Sequence, residues 1–360
     1  MHSIEAFKKT ISDIKKANNY RQEEVFSKNL ISFSSNDYLN LSENKIVGKK
    51  AIEAIKKYGV GAKSSKFIEG FNEFYLQIAK EMNEMKQTED CLIFSSGYTC
   101  NIGIFSSLAE KCDIIFFDEF SHASSFEGAK LSGAKIIRYK HNDISDLALK
   151  MKKFSSKGEK IFIATETVFS MKGTVLENSA EYVHIAKKYG AILITDEAHS
   201  FGVLEFDFPK YDLHLKMGTF SKAVGVLGGY VCGKKEIIDV IRNLAKSGIY
   251  TTALPPSVLA SVLASLKLIK AKKVTSKKAL ANAMLFGKIM NIEMKSQIAF
   301  LECETSENAI QISKTLEVAG FFVKAIRTPT VPKAGIRISF NNLHKKVDIE
   351  NLCFMLRKFF

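Results

Sequence analysis

Short apolar runs alternate with longer segments of helical pattern between residues 91 and 232. Runs of this length suit buried strands, and the segments between them are long enough for crossover helices. Strands connected in this way pair in parallel through right-handed crossovers. The sequence therefore predicts an α/β fold with a mostly parallel central sheet and helices on both faces. The predicted strands are residues 91–94, 113–117, 136–139, 161–165, 192–195, 213–217 and 229–232.

The alternation stops after the last of these strands. Helices are predicted over 234–246 and 257–271, and beyond about residue 280 strand-like and helical segments mix without a regular order. We therefore expect an N-terminal segment (1–44), a large domain (45–260) and a smaller C-terminal α+β domain (261–360). Near the start of the chain the pattern also predicts an amphipathic helix, and a Gly- and Ser-rich loop is predicted over 59–70.

The charge of the chain does not by itself indicate a nucleic-acid partner. The formal net charge is +14, but only six of the 52 basic residues are arginine, and the lysines are spread along the chain. A surface that tracks phosphates usually clusters its charge and uses arginine forks. We therefore expect no nucleic-acid partner. The six cysteines lack CxxC spacing, so no metal site is expected. No membrane span or secretory signal is expected either. The predicted location is the cytoplasm.

Chemically capable residues follow two of the predicted strands directly. Asp196 and His199 come after the run 192–195, and Thr219 and Lys222 come after the run 213–217. In an open α/β sheet, ligands bind where strands end on their carboxyl side. A carboxylate, an imidazole, a hydroxyl and a lysine at that edge predict a site for an anionic cofactor.

The sequence of residues 196–199, Asp-Glu-Ala-His, also matches the Walker B box of helicases. A nucleotide hydrolase needs, in addition, a Gly-rich phosphate loop that ends in Lys-Ser or Lys-Thr and normally precedes that box. The nearest match, residues 228–235, lies downstream and has Lys235 in place of the metal-binding hydroxyl. A Rossmann fingerprint is absent as well, because no G-x-G-x-x-G follows an early strand. Nucleotide chemistry is therefore not predicted.

Lys222 lies among small and hydroxyl residues just beyond a predicted buried strand. A lysine placed there can form a Schiff base with a carbonyl cofactor such as pyridoxal 5'-phosphate (PLP). PLP needs a carboxylate at its ring nitrogen and donors for its phosphate. Asp196 supplies the first, and the turn 95–98 before a predicted helix supplies the second. His199 can reach the phenolic oxygen, and His122 can lie over the ring.

These segments, taken in order, resemble the α-oxoamine synthases, which are PLP enzymes of fold type I that join an amino acid to an acyl-CoA with loss of CO2. The resemblance covers nearly the whole chain. It rests on SSNDYLNL (34–41), SSGYTCNIG (95–103), SHASSFEGA (121–129), TVFSMKG (167–173), TDEAHSFGV (195–203), GTFSKAVGVLGGYV (218–231), TTALPP (251–256) and GIRISF (335–340).

The resemblance implies a role for each matching residue. The catalytic set would be His122, Asp196, His199 and Lys222, where Lys222 holds the cofactor. The residues implied to contact the cofactor are Gly97, Tyr98, His122, Ser170, Asp196, His199, Thr219, Lys222, Thr251 and Thr252.

The resemblance further implies a homodimer with shared active sites, because Thr251 or Thr252 would reach the phosphate of the partner subunit's cofactor. Arg337 would hold the amino-acid carboxylate, for which a guanidinium fork is suited. Ser339 and Asn341 would contact substrate as well. Arg21 lies where relatives have an arginine that contacts the acyl substrate.

The compact length favours the family member that condenses L-alanine with pimeloyl-CoA, or with a pimeloyl carrier protein, in biotin biosynthesis. Members that use glycine or serine with other acyl-CoA substrates stay open as alternatives. A catalytically inactive scaffold or a nucleic-acid-binding protein with the same fold is a remote alternative, against which the set Asp196, His199 and Lys222 argues.

Overall fold

The computed structural model describes residues 4–17, 19–21, 23, 25–27, 29–155 and 158–360. The strands within these residues are β1 (Ile31–Ser32), β2 (Asp90–Phe94), β3 (Ile114–Asp118), β4 (Lys135–Tyr139), β5 (Ile161–Glu166), β6 (Ile192–Asp196), β7 (His214–Thr219), β8 (Gly229–Gly233), β9 (Ile298–Glu302), β10 (Phe321–Phe322), β11 (Lys324–Ile326) and β12 (Gly335–Ser339). The helices are α1 (Ile4–Lys16), α2 (Lys45–Tyr58), α3 (Glu73–Lys86), α4 (Gly97–Leu108), α5 (Ala123–Ser132), α6 (Ile144–Phe154), α7 (Ser179–Tyr189), α8 (Lys235–Leu244), α9 (Lys246–Ile249), α10 (Pro256–Lys270), α11 (Lys277–Met290), α12 (Ser306–Val318) and α13 (Lys346–Leu356). No helix of the described residues has the length and apolar character needed to cross a membrane.

The chain divides into two compact units. The large unit comprises Asn36–Ser170 and Thr174–Lys278, and the small unit comprises Met1–Ser35, Met171–Gly173 and Ala279–Phe360. The domain boundaries expected from the sequence, at residues 45 and 261, stay predictions, and the second of these positions lies within α10.

The large unit is built on a seven-stranded sheet with the strand order β2-β8-β7-β6-β5-β3-β4. Its strands pair in parallel from β7 to β4, whereas β8 is antiparallel to both β2 and β7. Alternate residues of a strand enter opposite cores: Ile115 and Phe117 belong to one apolar cluster, and Ile114 and Phe116 belong to another. Burial on both faces is the reason that these strands read as continuous apolar runs. The predicted α/β fold with a mostly parallel sheet is confirmed.

The small unit contains an antiparallel sheet, ordered β11-β12-β9, and a short parallel pair of β1 with β10. Its core is an apolar cluster drawn mainly from β9, β10 and β12 and from α11, α12 and α13. The predicted N-terminal amphipathic helix is present as α1, but none of its residues is buried.

Three segments differ from the sequence prediction. The loop predicted over 59–70 contains a one-turn π-helix, Lys66–Gly70. The helix predicted over 234–246 ends at Leu244, and a separate short helix, α9, follows it. The helix α11 was not predicted, because its buried face carries alanine, asparagine and glycine beside one phenylalanine, and small or polar residues give a weak periodic signal.

Candidate active site

Two acidic residues end neighbouring strands at the carboxyl edge of the large sheet. Asp196 is the last residue of β6, Glu166 is the last residue of β5, and the two are register partners. Both side chains are buried. One carboxylate oxygen of Asp196 accepts from the N–H of Ala198 at 2.9 Å, and the other accepts from Nδ2 of Asn101 at 3.1 Å. These two donors fix the direction in which the Asp196 carboxylate points.

Lys222 lies in the connection that follows β7, the strand beside β6, and the residue is half-buried. The connection folds back on itself. The N–H of Gly225 donates to the carbonyl of Lys222 at 2.8 Å, and the N–H of Val226 donates to the carbonyl of Phe220 at 2.9 Å. Gly225 has a φ of +73°, and a Cβ there would lie 2.4 Å from the backbone nitrogen of Ser42. Only glycine therefore fits at this turn, which holds the lysine over the strand ends.

His122 caps the N-terminus of α5, where its side chain accepts the N–H of Ser124. Burial lowers the pKa of the His122 imidazole, the Asp196 carboxylate opposes that change, and the Lys222 ammonium adds to it. Burial, and next the Asp196 charge, raise the pKa of Glu166 well above its usual value. Three of the predicted catalytic residues, His122, Asp196 and Lys222, are therefore near Glu166 at this edge of the sheet.

His199 follows Asp196 by three residues and is buried. Its Nδ1 lies 2.6 Å from the hydroxyl of Tyr38, which is fully buried. The imidazole is thereby oriented through Nδ1.

The phosphate site predicted from the sequence corresponds to the turn before α4. Ser96 caps the helix, with a reciprocal hydrogen-bond pair to Thr99, and the first helical residues are Gly97 and Tyr98. A Cβ on Gly97 would lie 3.1 Å from the Cβ of Thr219, so this turn and the end of β7 are in close approach. The hydroxyl of Thr219 donates to the carbonyl of Gly228 at 2.7 Å. A helix N-terminus with exposed N–H groups and a positive dipole end favours a phosphate.

The remaining predicted cofactor contacts also belong to the large unit. Ser170 is buried at the end of the first stretch of that unit. Thr252 is exposed and forms an isolated antiparallel bridge with Ser65, and Thr251 beside it is half-buried. The roles of these three residues stay predictions.

The four predicted substrate residues belong to the small unit. Arg337 is buried in β12, while Arg21 is exposed. The hydroxyl of Ser339 bonds to the carbonyls of Phe33 and Ser35, at 3.1 and 2.7 Å. Oδ1 of Asn341 accepts the N–H groups of residues 343 and 344 in a turn. The polar atoms of Ser339 and Asn341 are therefore engaged in local structure, and substrate contact by all four stays a prediction.

Sequence reasoning missed four residues that orient the site: Tyr38, Asn101, Ser124 and Glu166. Glu166 had a signal, since it ends an apolar strand just as Asp196 does. Asn101 and Ser124 lie within helices, and nothing in their spacing marks them. For Tyr38 the only signal is its place in the SSNDYLNL segment.

The residues of the large unit fit a PLP group. Buried polar atoms near this edge have no hydrogen-bond partner among the described residues, namely Oδ1 of Asn101, Oγ of Ser121 and Oε1 of Glu166. Buried polar atoms are nearly always paired in a complete site, so these atoms indicate that a polar group belongs there. A carboxylate, two imidazoles, a lysine and a helix N-terminus supply the set of contacts that PLP requires.

Known proteins match this chain along most of its length. Residues 28–356 match the family described as aminotransferase class I and II. An 8-amino-7-oxononanoate synthase of Granulibacter bethesdensis is 37% identical over 91% of this chain and 87% of its own. A protein of Thermodesulfovibrio yellowstonii with the same name, provisionally given, is 38% identical over 97% of this chain and 96% of its own.

Solved structures agree with these matches. The 8-amino-7-oxononanoate synthase of Francisella tularensis superimposes with a TM-score of 0.77 and 29% identity, over 92% of this chain and 98% of that chain. A serine palmitoyltransferase from S. paucimobilis, solved with PLP and myriocin bound, superimposes with a TM-score of 0.88 and 25% identity, over 99% of this chain and 98% of that chain.

Proposed function

Because the chain belongs to the aminotransferase class I and II family, and within it to the PLP-dependent α-oxoamine synthases, we propose that it joins L-alanine to a pimeloyl thioester. The product is 8-amino-7-oxononanoate, a precursor in biotin biosynthesis, and CO2 and the free thiol are released. One observation supports this choice above others. Relatives named for this activity are 37–38% identical over nine-tenths or more of the chain, whereas the serine palmitoyltransferase is 25% identical.

Several residues of the large unit would have separate roles at the cofactor. PLP, when bound, supplies a protonated ring that takes up the electron pair left on the α-carbon of the amino acid. Asp196 would hold the proton on the ring nitrogen, and its two hydrogen-bond donors keep its carboxylate in place. His199 would donate to the phenolic oxygen, and His122 would contact the ring.

Lys222 would hold the cofactor, and its Nζ, once released by the amino acid, would remove the α-proton of alanine and later return a proton. The backbone turn around Lys222 keeps Nζ near the strand ends during both transfers. Arg337 would bind the carboxylate of alanine through two of its guanidinium N–H groups before that carboxylate leaves as CO2. Acyl transfer to the α-carbon breaks the thioester bond and releases the thiol with a proton.

We also propose a homodimer, in which Thr251 or Thr252 contacts the cofactor phosphate of the partner subunit. Support comes from exposed apolar side chains beside the Ser65–Thr252 bridge, which include Ile68 and Tyr250, both more than 80% exposed. An apolar patch of this kind is typical of a protein interface.

Serine with a long acyl-CoA is the competing substrate pair, since the serine palmitoyltransferase structure superimposes with the higher TM-score, 0.88 against 0.77. The test is turnover by the PLP-loaded protein with L-alanine, glycine or L-serine. Each amino acid is combined with pimeloyl-CoA, a pimeloyl carrier protein or palmitoyl-CoA, and CO2 release and the mass of the product are measured.

We expect the mass of 8-amino-7-oxononanoate from alanine with a pimeloyl donor. Turnover with glycine or serine alone would overturn the proposal. Lys222→Ala should reduce turnover by about 10²- to 10⁴-fold, the usual contribution of a general base, or more. Lys210→Ala, at an exposed lysine of the same unit, is the matched control and should retain wild-type turnover.

A further inference from the structure

A chain of hydrogen bonds connects Asp196 to His122 behind the predicted cofactor position. Nδ2 of Asn101 lies 3.1 Å from Oδ2 of Asp196 and 3.0 Å from Oγ of Ser124. Oγ of Ser124 in turn lies 2.8 Å from Nδ1 of His122. Asn101 and Ser124 are both buried. Asp196 and His122, which are both predicted to contact the cofactor, are therefore connected through Asn101 and Ser124.

The chemistry of Asp196 sets the direction of this chain. An ionised carboxylate only accepts hydrogen bonds, so the amide of Asn101 must turn its NH₂ group toward Asp196. The second N–H of that NH₂ group donates to Oγ of Ser124. Because the NH₂ group cannot accept, the hydroxyl proton of Ser124 is directed to Nδ1 of His122.

Nδ1 of His122 then accepts two hydrogen bonds, one from this hydroxyl and one from the backbone N–H of Ser124 at 3.2 Å. A nitrogen that accepts twice carries no proton, so the single proton of the neutral imidazole lies on Nε2. To take up a second proton, His122 would have to break both bonds.

We propose that Asn101 is a positioning residue that, by directing the hydroxyl of Ser124, keeps His122 uncharged with its proton on Nε2. An uncharged imidazole does not place a second positive charge against a protonated cofactor ring. The titratable groups around His122 are Asp196, Glu166 and Lys222, and burial of the imidazole acts in the same direction as the hydrogen bonds.

The benefit to catalysis rests on the proposed function, in which His122 contacts the cofactor. The direction of the hydrogen bonds from Asp196 to His122 does not rest on it. The experiment therefore follows the imidazole itself. ¹⁵N-histidine-labelled full-length protein is titrated between pH 5 and 9 by NMR, with PLP bound and after its removal, and the His122 signals are assigned by their loss in His122→Gln. Wild type should show an unprotonated Nδ1 and a protonated Nε2.

In Asn101→Leu, the hydroxyl of Ser124 is free to turn and accept from a protonated Nδ1. We expect the pKa of His122 to rise by about one unit, a tenfold gain in proton affinity. In a Ser124→Ala background the hydroxyl is gone, and Asn101→Leu should cause no further rise. Ser107→Ala, also on α4 but bonded only within that helix, is the matched control and should leave the titration unchanged.

An equal rise in both backgrounds would mean that Asn101 acts through Asp196 alone, and the proposal would be wrong. A doubly protonated His122 in the wild-type protein at pH 8 would also overturn it. Loss of alanine turnover with an intact Nε2–H signal would count against the proposed function and leave this inference standing.

Discussion

The hydroxyl of Tyr38 lies 2.6 Å from Nδ1 of His199, although 161 positions separate the two residues in the chain. The segment before the first helix of the large unit therefore reaches to the carboxyl edge of the sheet. The tyrosine of the SSNDYLNL segment therefore orients His199, a role that its position in the sequence does not indicate. It also leads to the first of four predictions.

Tyr38→Phe should destabilise the chain by about 1–3 kcal/mol, because it leaves a buried imidazole nitrogen without its partner. The measurement is urea unfolding of the cofactor-free protein. The dissociation constant of PLP, followed by fluorescence, should rise about tenfold as His199 loses its orientation. Tyr58→Phe is the matched control, since that hydroxyl bonds to Glu73 at the surface, and its loss should stay within about 0.5 kcal/mol. Equal effects of the two substitutions would contradict this prediction.

Glu166→Gln should make the cofactor-free chain as stable as wild type at pH 5 and more stable at pH 8. Burial and the Asp196 charge raise the pKa of Glu166 above its usual value of 4.5, so the folded chain binds this proton more tightly than the unfolded chain. The wild-type free energy of unfolding therefore falls as the pH rises from the unfolded pKa toward the folded one. Glutamine keeps the shape of the protonated acid and removes that dependence. Urea unfolding at several pH values measures it, and a variant that loses stability as the pH rises, relative to wild type, would refute the prediction.

Gly229→Ala should destabilise the chain by about 1–3 kcal/mol, the usual cost of overpacking. A Cβ at Gly229 would lie 2.4 Å from the carbonyl oxygen of Ser96 and 2.7 Å from the nitrogen of Gly97, and backbone cannot move aside easily. The phosphate turn would shift, so PLP affinity should fall as well. Gly48→Ala has open space around it in α2 and should instead gain up to about 1 kcal/mol. Thermal and urea unfolding of both variants check the pair.

Ile68→Asp should weaken the proposed dimer, because it buries a charge in the apolar patch beside the Ser65–Thr252 bridge. Sedimentation velocity over a range of protein concentrations should show a shift toward monomer, together with weaker PLP binding. Leu149→Asp changes another exposed apolar side chain, on α6, and is expected to leave the sedimentation unchanged. If the wild-type chain sediments as a monomer at every concentration, the shared site is wrong.

The sequence predicted the parts of the structure that depend on strong local patterns. The strand end at Asp196 and the strand end that precedes Lys222 can be predicted because a buried strand is a continuous apolar run with a clear end. The position of β8 in the sheet was not predicted, since an apolar run does not reveal whether its strand pairs in parallel. The antiparallel direction of β8 relative to β2 and β7 depends on the course of the segments that connect these strands.

The hydrogen-bond partners of the site were harder to find for a different reason. Asn101 and Ser124 lie on α4 and α5, and only the packing of those helices brings them to Asp196 and His122. A buried asparagine in the middle of a helix has the same appearance in a sequence as an exposed one. Side-chain networks of this kind depend on tertiary structure, which no local pattern reports.

The antiparallel pairing of β7 with β8 has a consequence for the lysine between them. Thr219, at the end of β7, pairs with Gly229, at the start of β8, so the segment that carries Lys222 is a hairpin loop anchored at both ends. A loop closed over so few residues has already lost most of its backbone entropy on folding. In the proposed reaction, rotation about the side-chain bonds of Lys222 would therefore provide the motion of Nζ between proton-transfer positions, and little further order would have to be created at each turnover.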